Sequence, residues 1–326
     1  MSGRRGREQG IAALFALTLL PGPWNEARAD EGGASFWVPG QYAANLAATP
    51  PSPGWSIPLT LYHYSGRAPD SATSAPVAAV APGTRSQTWQ LSASPTYAPE
   101  TKVFGGQLAM MLAVGVGSNA TQPDPAAPSG PESRTVSGLT DVAPAATLGW
   151  QTGADSWMVY VTGNVPVGSY DSQRLSNVGI GRAAVDAGGV YTHDSVISGR
   201  SASAAVGITY NYTNPDTGYR SGIDSHLGWS AMLPVSGTVR AGLSGYVYYQ
   251  LTADGGTGDT CGACKSRVAG IGPQLNCTFT VAGQPWSANL RGYYELWARN
   301  RLEGYAVFAT LTVPIAGAPG DGGVKQ

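Results

Sequence analysis

The feature that most constrains this chain is an alternation of apolar and polar side chains in runs of about ten residues. Residues 203–212, 274–281 and 286–296 place apolar side chains at nearly every second position, with polar or small residues between them. A period of two is the signature of a β-strand with one apolar face. Tilted strands of about ten residues cross the hydrocarbon core of a bilayer, whereas the strands of soluble sandwiches are usually shorter.

The number and spacing of these runs indicate a closed barrel. We predict twelve strands, centred near residues 60, 92, 110, 145, 160, 187, 207, 227, 245, 275, 291 and 309. The connections after odd-numbered strands are long or polar, as at residues 118–137 after the third strand, and most of those after even-numbered strands are short. Outer-membrane barrels have the same arrangement of long extracellular loops and short periplasmic turns. The sequence therefore predicts an all-β fold: a transmembrane, antiparallel, up-and-down β-barrel of about twelve strands over residues 56–315.

The first residues indicate export. Three arginines precede an uncharged run from Ile11 to Leu20, and residues 27–29 supply an A-x-A cleavage pattern. We therefore predict a signal peptide at residues 1–29, cleaved after Ala29, and location in the bacterial outer membrane. The uncharged run is too short to span a bilayer as a helix.

Charge and composition exclude other classes of protein. Charged residues make up 12 % of the chain, about half the usual share of a soluble domain. Only three lysines and seven glutamates occur among 326 residues, which disfavours a helical protein. The formal charge of −1 argues against nucleic acid as a partner.

Four tryptophans are predicted to mark one membrane interface. Trp150 and Trp229 lie at the predicted ends of descending strands, and Trp157 and Trp286 lie at the starts of ascending ones. All four share the parity of the apolar, outward face, where interfacial aromatic rings contact lipid headgroups. We therefore expect outer-membrane lipid as a partner, together with the outer-membrane assembly machinery that inserts such barrels.

The opposite parity assigns charged and aromatic side chains to the barrel lumen. They have two interpretations: paired charges that hold the barrel interior together, or a lining that orients the polar group of a passing solute while tyrosines stack on its ring. A twelve-stranded barrel has a lumen between those of filled eight-stranded barrels and open porins. The predicted lumen residues are Asp141, Asp186, Asp224, His226, Arg240, Tyr246, Tyr248, Arg291, Tyr293 and Glu295.

The segments that flank the barrel have different compositions. Residues 30–55 contain Phe36, Trp37 and several prolines, which is too apolar for a free tail. We expect a periplasmic N-terminal segment that folds into the barrel mouth as a plug, the alternative being a disordered tail. Residues 316–326 are expected to form a flexible C-terminal tail.

Two cysteines, Cys261 and Cys264, lie close together in a predicted extracellular loop. A zinc site needs further ligands, and a redox C-x-x-C motif needs a thioredoxin-like context that this chain lacks. A short-range disulfide is therefore predicted for this oxidising compartment. Neither a metal nor a cofactor is indicated.

An outer-membrane lipase is an alternative for a barrel of this size. Its site requires a histidine and a serine that face lipid on adjacent strands. Only His63 has outward parity, and the neighbouring strand offers Trp89 and Leu91 on that face. We therefore predict no catalytic residues and no enzyme activity.

Several segments resemble one known family. They are SFWVPG at residues 35–40, PGWS at 53–56, YYQLTAD at 248–254 and LRGYYE at 290–295. Together they resemble the outer-membrane family associated with the meta-cleavage pathway of phenol degradation, over nearly all of residues 35–315. The resemblance implies a channel or transporter for small hydrophobic or aromatic compounds and brings no catalytic signature. The alternative is a structural or surface-binding barrel whose lumen is closed by its charges and its plug.

Overall fold

The computed structural model describes residues 31–41, 48–68, 83–122, 134–195, 197–259 and 265–315. The predicted signal peptide, the C-terminal tail and the Cys261–Cys264 disulfide lie outside these residues and stay predictions. Within the described ranges, no helix has the length and apolar character needed to cross a bilayer.

Fourteen strands form one antiparallel sheet, and a short 3-10 helix, Glu31–Gly33, precedes them. The strands of the sheet are β1 Gly54–Arg67, β2 Arg85–Ala93, β3 Thr96–Ala98, β4 Gln107–Gln122, β5 Arg134–Leu139, β6 Ala143–Thr152, β7 Asp155–Asn164, β8 Ala184–Asp194, β9 Ser201–Asn211, β11 Asp224–Pro234, β12 Val239–Gln250, β14 Arg267–Val281, β15 Gln284–Arg299 and β16 Glu303–Pro314. Two further strands, β10 Tyr219–Arg220 and β13 Gly255–Gly256, pair with each other.

The sheet closes on itself. The last strand, β16, pairs with β1 from Ser56 opposite Pro314 to Arg67 opposite Glu303. β2 and β3 form one crossing that is interrupted at residues 94–95, and β5 and β6 form another that is interrupted at residues 140–142. The barrel therefore has twelve crossings, which confirms the predicted fold and strand count.

The two ends of the barrel differ in their connections. Two-residue turns join β6 to β7 and β14 to β15. In the second turn both residues, Ala282 and Gly283, have positive φ, as the hairpin turns that match strand twist require. We call this the short-turn end. The opposite, long-loop end carries the connections after β1, β4, β7, β9 and β12, and one short connection, residues 300–302.

One strand is longer than its sequence suggests. A loop was expected from residue 118, but β4 continues to Gln122, because residues 118–122 pair with Arg85–Trp89 of β2. Backbone hydrogen bonds to two neighbouring strands outweigh the weak strand pattern of this polar stretch.

The outer wall is apolar and the inner wall is polar. Large side chains such as Leu91, Val206 and Ile208 are 53–54 % exposed on the outside, while Thr192, Thr209 and Ser244 are fully buried inside. A continuous exposed apolar band is unfavourable in water and suits contact with lipid. The alternation in the sequence thus corresponds to the two faces of the wall.

Three of the four tryptophans lie near the short-turn end. Trp150 and Trp157 are opposite each other on β6 and β7, and Trp286 is the third residue of β15. The predicted position of Trp229 is wrong: it lies in the middle of β11. The strand continues to Pro234 because residues 230–234 extend the ladder with β12.

Candidate functional site

The N-terminal segment, which we define as the described residues 31–41 and 48–50, lies inside the barrel. At the long-loop end the Glu31 carboxylate accepts hydrogen bonds from Asn214 at 2.9 and 3.0 Å and from Thr217 at 2.6 Å. At the short-turn end the Ala48 amide donates to Thr192 Oγ1 at 3.4 Å. The segment therefore extends between the two ends of the barrel, beyond the mouth at which the sequence placed it.

A second cluster holds the segment at the long-loop end. The Arg182 guanidinium is 1 % exposed, donates to the Ala34 carbonyl at 2.7 Å and lies 3.7 Å from Glu31 Oε2. The hydroxyl of Tyr170 accepts a hydrogen bond from Asn214 at 2.8 Å. Burial, followed by the nearby Glu31 carboxylate, raises the pKa of this phenol, so it remains neutral at physiological pH.

Trp37 is the most deeply buried aromatic side chain of the segment. Its indole stacks on the His226 ring, with centroids 4.3 Å apart and planes 9° apart, and lies parallel to Tyr248 at 6.2 Å. The edge of Tyr246 meets the indole at 6.2 Å and 76°. His226 and Tyr248 are opposite each other on β11 and β12, so together they form a flat aromatic surface beneath Trp37.

Hydrogen bonds behind this surface fix the histidine. His226 Nε2 lies 2.9 Å from Asp186 Oδ2, and Thr209 donates to the same oxygen at 2.6 Å. The side chains of His226 and Asp186 are 0 and 1 % exposed. Asp224, on the same wall, accepts a hydrogen bond from Asn211 at 2.7 Å. These contacts support the first interpretation for this part of the wall, that of groups holding the barrel interior together.

The middle of the segment is attached to β15. Arg291 donates to the carbonyls of Gly40 at 3.3 Å and Gln41 at 3.1 Å, and the Tyr293 hydroxyl donates to the Gly40 carbonyl at 3.4 Å. Gly40 has φ +86°, and a Cβ at this position would lie 2.5 Å from the Tyr293 ring. A glycine is therefore required here for both its backbone conformation and its close approach.

A cavity of about 1210 Å³ lies beside the segment. Its wall includes Arg174 and Arg301 at the long-loop end and Arg240 and Thr312 at the short-turn end, so one cavity contacts both ends of the barrel. Between these ends the cavity is lined by β1, β2, β4, β15 and β16 together with the N-terminal segment, and three of the side chains there are Tyr62, Arg291 and Phe308.

The predicted lumen residues divide into two groups. Those that line the cavity are Asp141, Arg240, Tyr246, Arg291 and Glu295. Those that are buried away from the cavity are Asp186, Asp224, His226, Tyr248 and Tyr293. The N-terminal segment accounts for three residues of the second group, because Trp37 covers His226 and Tyr248, and Gly40 packs on Tyr293.

The charged groups of the first group have different partners. Arg240 and Asp194 form an ion pair of 2.8 Å at the short-turn end. Asp141 accepts hydrogen bonds from the amides of Gly168 and Ile180 and thereby holds the loop at residues 165–183. Arg240 is thus compensated by an ion pair, and Asp141 is compensated by backbone donors, so that neither charge lacks a partner.

Glu295 is buried at the long-loop half of β15. It accepts hydrogen bonds from the hydroxyls of Tyr64 at 2.9 Å and Tyr246 at 3.0 Å and from the Gly304 amide at 2.7 Å. Three neutral donors therefore hold this carboxylate, which is 1 % exposed.

Sequence reasoning missed several residues of the interior. Tyr62 and Tyr64 share inward parity, opposite to Leu61, and that alternation is visible in the sequence. Phe308 lies between Val307 and Ala309, so the run is apolar on both faces and its parity gives no signal. Arg182 lies in a loop, where periodicity is not informative.

The outward histidine has no serine partner in the described structure around it. His63 Nδ1 lies 3.0 Å from the Thr88 carbonyl, and its ring stacks on Trp89 at 4.0 Å. Among the described residues, no group of three or more histidine, cysteine, aspartate or glutamate side chains is placed to hold a metal ion.

Comparisons with known proteins give the family and related folds. The family model described as "Putative MetA-pathway of phenol degradation" matches residues 65–311. No curated protein matches the chain significantly. The fold is similar to that of an outer membrane channel from Pseudomonas putida F1, with 14 % identity, a TM-score of 0.68 and coverage of 86 % of this chain and 100 % of that one.

Two other solved structures are less similar. The translocator domain of the autotransporter NalP from Neisseria meningitidis has 11 % identity and a TM-score of 0.44, covering 82 % of this chain and 91 % of that one. A Pseudomonas aeruginosa FadL homologue has 10 % identity and a TM-score of 0.40, covering 88 % and 99 %.

The closed barrel and the match to the Pseudomonas putida structure establish an outer-membrane channel fold, which is consistent with location in the bacterial outer membrane. The family model covers more than half of the chain. The protein therefore belongs to the family described as "Putative MetA-pathway of phenol degradation".

Proposed function

We propose that this protein is an outer-membrane channel through which small hydrophobic or aromatic compounds enter a cell that degrades phenol-type substrates. The cavity that contacts both ends of the barrel carries the proposal. Its volume of about 1210 Å³ exceeds that of common small-molecule sites, which hold molecules much larger than one aromatic ring. Family membership supports the link to aromatic degradation.

The chemistry of the lining favours aromatic solutes. Tyr62 and Phe308 are tilted against each other in the cavity wall, with ring centroids 4.6 Å apart. Each aromatic contact contributes about 0.5–1.5 kcal/mol beyond area burial. Weak contacts of this size suit passage, because a solute must bind well enough to enter and loosely enough to leave.

The N-terminal segment has the role of a resident plug in this proposal. It is attached at Glu31, Trp37, Gly40 and Ala48, and it reduces the lumen to the path along β1, β2, β4, β15 and β16. A narrowed path admits small solutes and excludes large ones, which maintains the barrier function of the outer membrane.

Uptake by whole cells tests the proposal. A strain that lacks the gene should take up labelled phenol and toluene more slowly at limiting concentration than the parent, with unchanged acetate uptake. The gene on a plasmid should restore the rate. Equal phenol and toluene uptake in both strains contradicts the proposal.

The same plug supports a second candidate, a structural or surface-binding barrel that transports nothing. Its segment contacts the wall at four levels, as a permanent seal would. Uptake separates the two, provided that a heat-dependent gel shift confirms a folded barrel: the second candidate predicts equal uptake with and without the protein.

A further inference from the structure

Arg291 lies in the middle of β15, with its guanidinium at the cavity. The residue is 5 % exposed. Its hydrogen bonds go to neutral acceptors, namely the carbonyls of Gly40 and Gln41 and the side-chain oxygen of Asn289. The ring of Phe308 lies 4.5 Å from its Cζ. Among the described residues, no aspartate or glutamate forms an ion pair with it.

Other charged groups of the interior are compensated differently. Among the described residues, Arg240 pairs with Asp194 and Arg182 with Glu31, while the Asp186 carboxylate is hydrogen-bonded to His226 and Thr209. The Glu295 carboxylate lies on the same face of β15 four residues away, which is about 13 Å along a strand. Its oxygens already accept three hydrogen bonds.

The residues that surround Arg291 on the neighbouring strands, and those that follow Gln41 in the chain, carry no negative charge. Its partners across the ladders are Gln274 on β14 and Phe308 on β16. The facing phenols, Tyr62 and Tyr293, are neutral at physiological pH. Residues 42–47, which follow Gln41, contain no aspartate or glutamate.

A buried cation without a counter-charge favours an anion in the adjacent space, because the low-dielectric surroundings strengthen the attraction. Guanidinium has five N–H donors in a planar fork that matches a carboxylate, and the described hydrogen bonds to the segment and Asn289 use three of them. We infer that the channel selects aromatic carboxylates, whose anionic group binds Arg291 while the ring packs on Tyr62. This inference rests on the proposed function and narrows its class of solute.

Reversal potentials in planar bilayers test the inference. We compare gradients of potassium benzoate and of benzyltrimethylammonium chloride, which carry similar rings with opposite charges. The wild type should pass benzoate at least about tenfold better than benzyltrimethylammonium, as expected for a focused charge in a narrow path. In Arg291→Gln this ratio should fall to near one, and Arg291→Lys should restore most of it.

Arg267→Gln is the matched control. This arginine lies against the Tyr249 ring at 4.3 Å on the outer side of β14 and is not among the cavity residues. The Arg267→Gln substitution removes the same charge and should leave the ratio of benzoate to benzyltrimethylammonium permeability unchanged. Loosening of the segment in Arg291→Gln changes total conductance, whereas the ratio of the two ions reports the charge. A heat-dependent gel shift confirms that each variant is folded.

Two results overturn the inference: a wild-type channel without preference for benzoate, or an unchanged ratio in Arg291→Gln. If the bilayer shows no current, proteoliposome uptake of labelled benzenesulfonate against labelled benzyltrimethylammonium decides by the same ratio, and failure to accumulate the anion counts against the inference. If cells take up phenol through the protein but the channel shows no preference for anions, only this inference is contradicted. Cells without protein-dependent phenol or toluene uptake contradict the proposed function itself.

Discussion

The indole of Trp37 lies parallel to the imidazole of His226, with ring centroids 4.3 Å apart. One ring belongs to the N-terminal segment and the other to β11, so this contact joins the segment to the barrel wall. The Asp186 carboxylate in turn fixes the imidazole. This contact is therefore one of the four that hold the segment in the barrel.

Trp37→Ala should loosen the segment. The stacked and edge contacts with His226, Tyr248 and Tyr246 are lost, each worth about 0.5–1.5 kcal/mol. The population with a displaced segment should rise by about tenfold or more, which single-channel recording would show as more frequent or larger openings. Trp157→Ala removes an indole from the outer wall and should leave conductance unchanged. Identical traces for Trp37→Ala and wild type would contradict a plugging role.

Gly40→Ala should displace the middle of the segment. Gly40 has φ +86°, and its new methyl group would lie 2.5 Å from the Tyr293 ring. Gly105→Ala is the matched control, because Gly105 has φ +75° and open space around it. Both variants carry backbone strain of about 1–2 kcal/mol, because alanine is unfavourable at positive φ, but only Gly40→Ala should increase conductance and sensitivity of cells to large antibiotics. If Gly40→Ala and Gly105→Ala change conductance and antibiotic sensitivity equally, backbone strain alone explains the change and the contact with Tyr293 does not.

Asp186→Ala should destabilise the barrel. The Asp186 and His226 side chains are almost fully buried, and loss of this carboxylate removes the acceptor for His226 and Thr209, at a cost of about 1–3 kcal/mol for each buried polar group left without it. The folded band on a gel should disappear at a lower heating temperature than for the wild type. Arg174→Ala breaks an ion pair that is 35 and 41 % exposed and should cost no more than about 1 kcal/mol. An unchanged temperature for Asp186→Ala would show that the pair is not a structural support.

Tyr62→Leu should weaken the contact of phenol with the path. Tyr62 lines the cavity and packs on Phe308, and loss of one aromatic contact corresponds to a change in affinity of about two- to tenfold. The concentration of phenol that reduces the ion current by half should rise accordingly. Leu61→Ala, on the outer face of the same strand, is the control and should leave this concentration unchanged. A normal phenol effect in Tyr62→Leu would place the aromatic contact elsewhere.

The wall of the barrel was predictable because its signal is local. Parity assigns Leu61 outward and Tyr293 inward without knowledge of any other strand, since each side chain points to one of two faces. The errors occur where strand ends were judged by composition. Trp229 was predicted at a strand end, and residues 118–122 were predicted in a loop. Both predictions are wrong, because cross-strand pairing outweighs local preference at both places.

The interior of the barrel was not predictable in the same way. Gly40 and Arg291 are separated by 251 positions, and no period in the sequence links them. The sequence identifies residues 30–55 as an apolar segment, but it does not indicate how deep in the barrel Trp37 lies or which residues bind Glu31. Parity likewise identified Arg291 as inward without showing that its neighbours are neutral.

The position of the N-terminal segment has a topological consequence for biogenesis. Glu31 is bound at the long-loop end, the chain enters β1 at the other end, and β1 and β16 close the wall around it. The amino-terminal part of the chain is therefore threaded through a closed ring. Either the seam between the first and last strands forms around a segment already in place, or the amino end passes through the finished ring. In both cases anything large fused before Glu31 must end up on the cell surface or stop the threading.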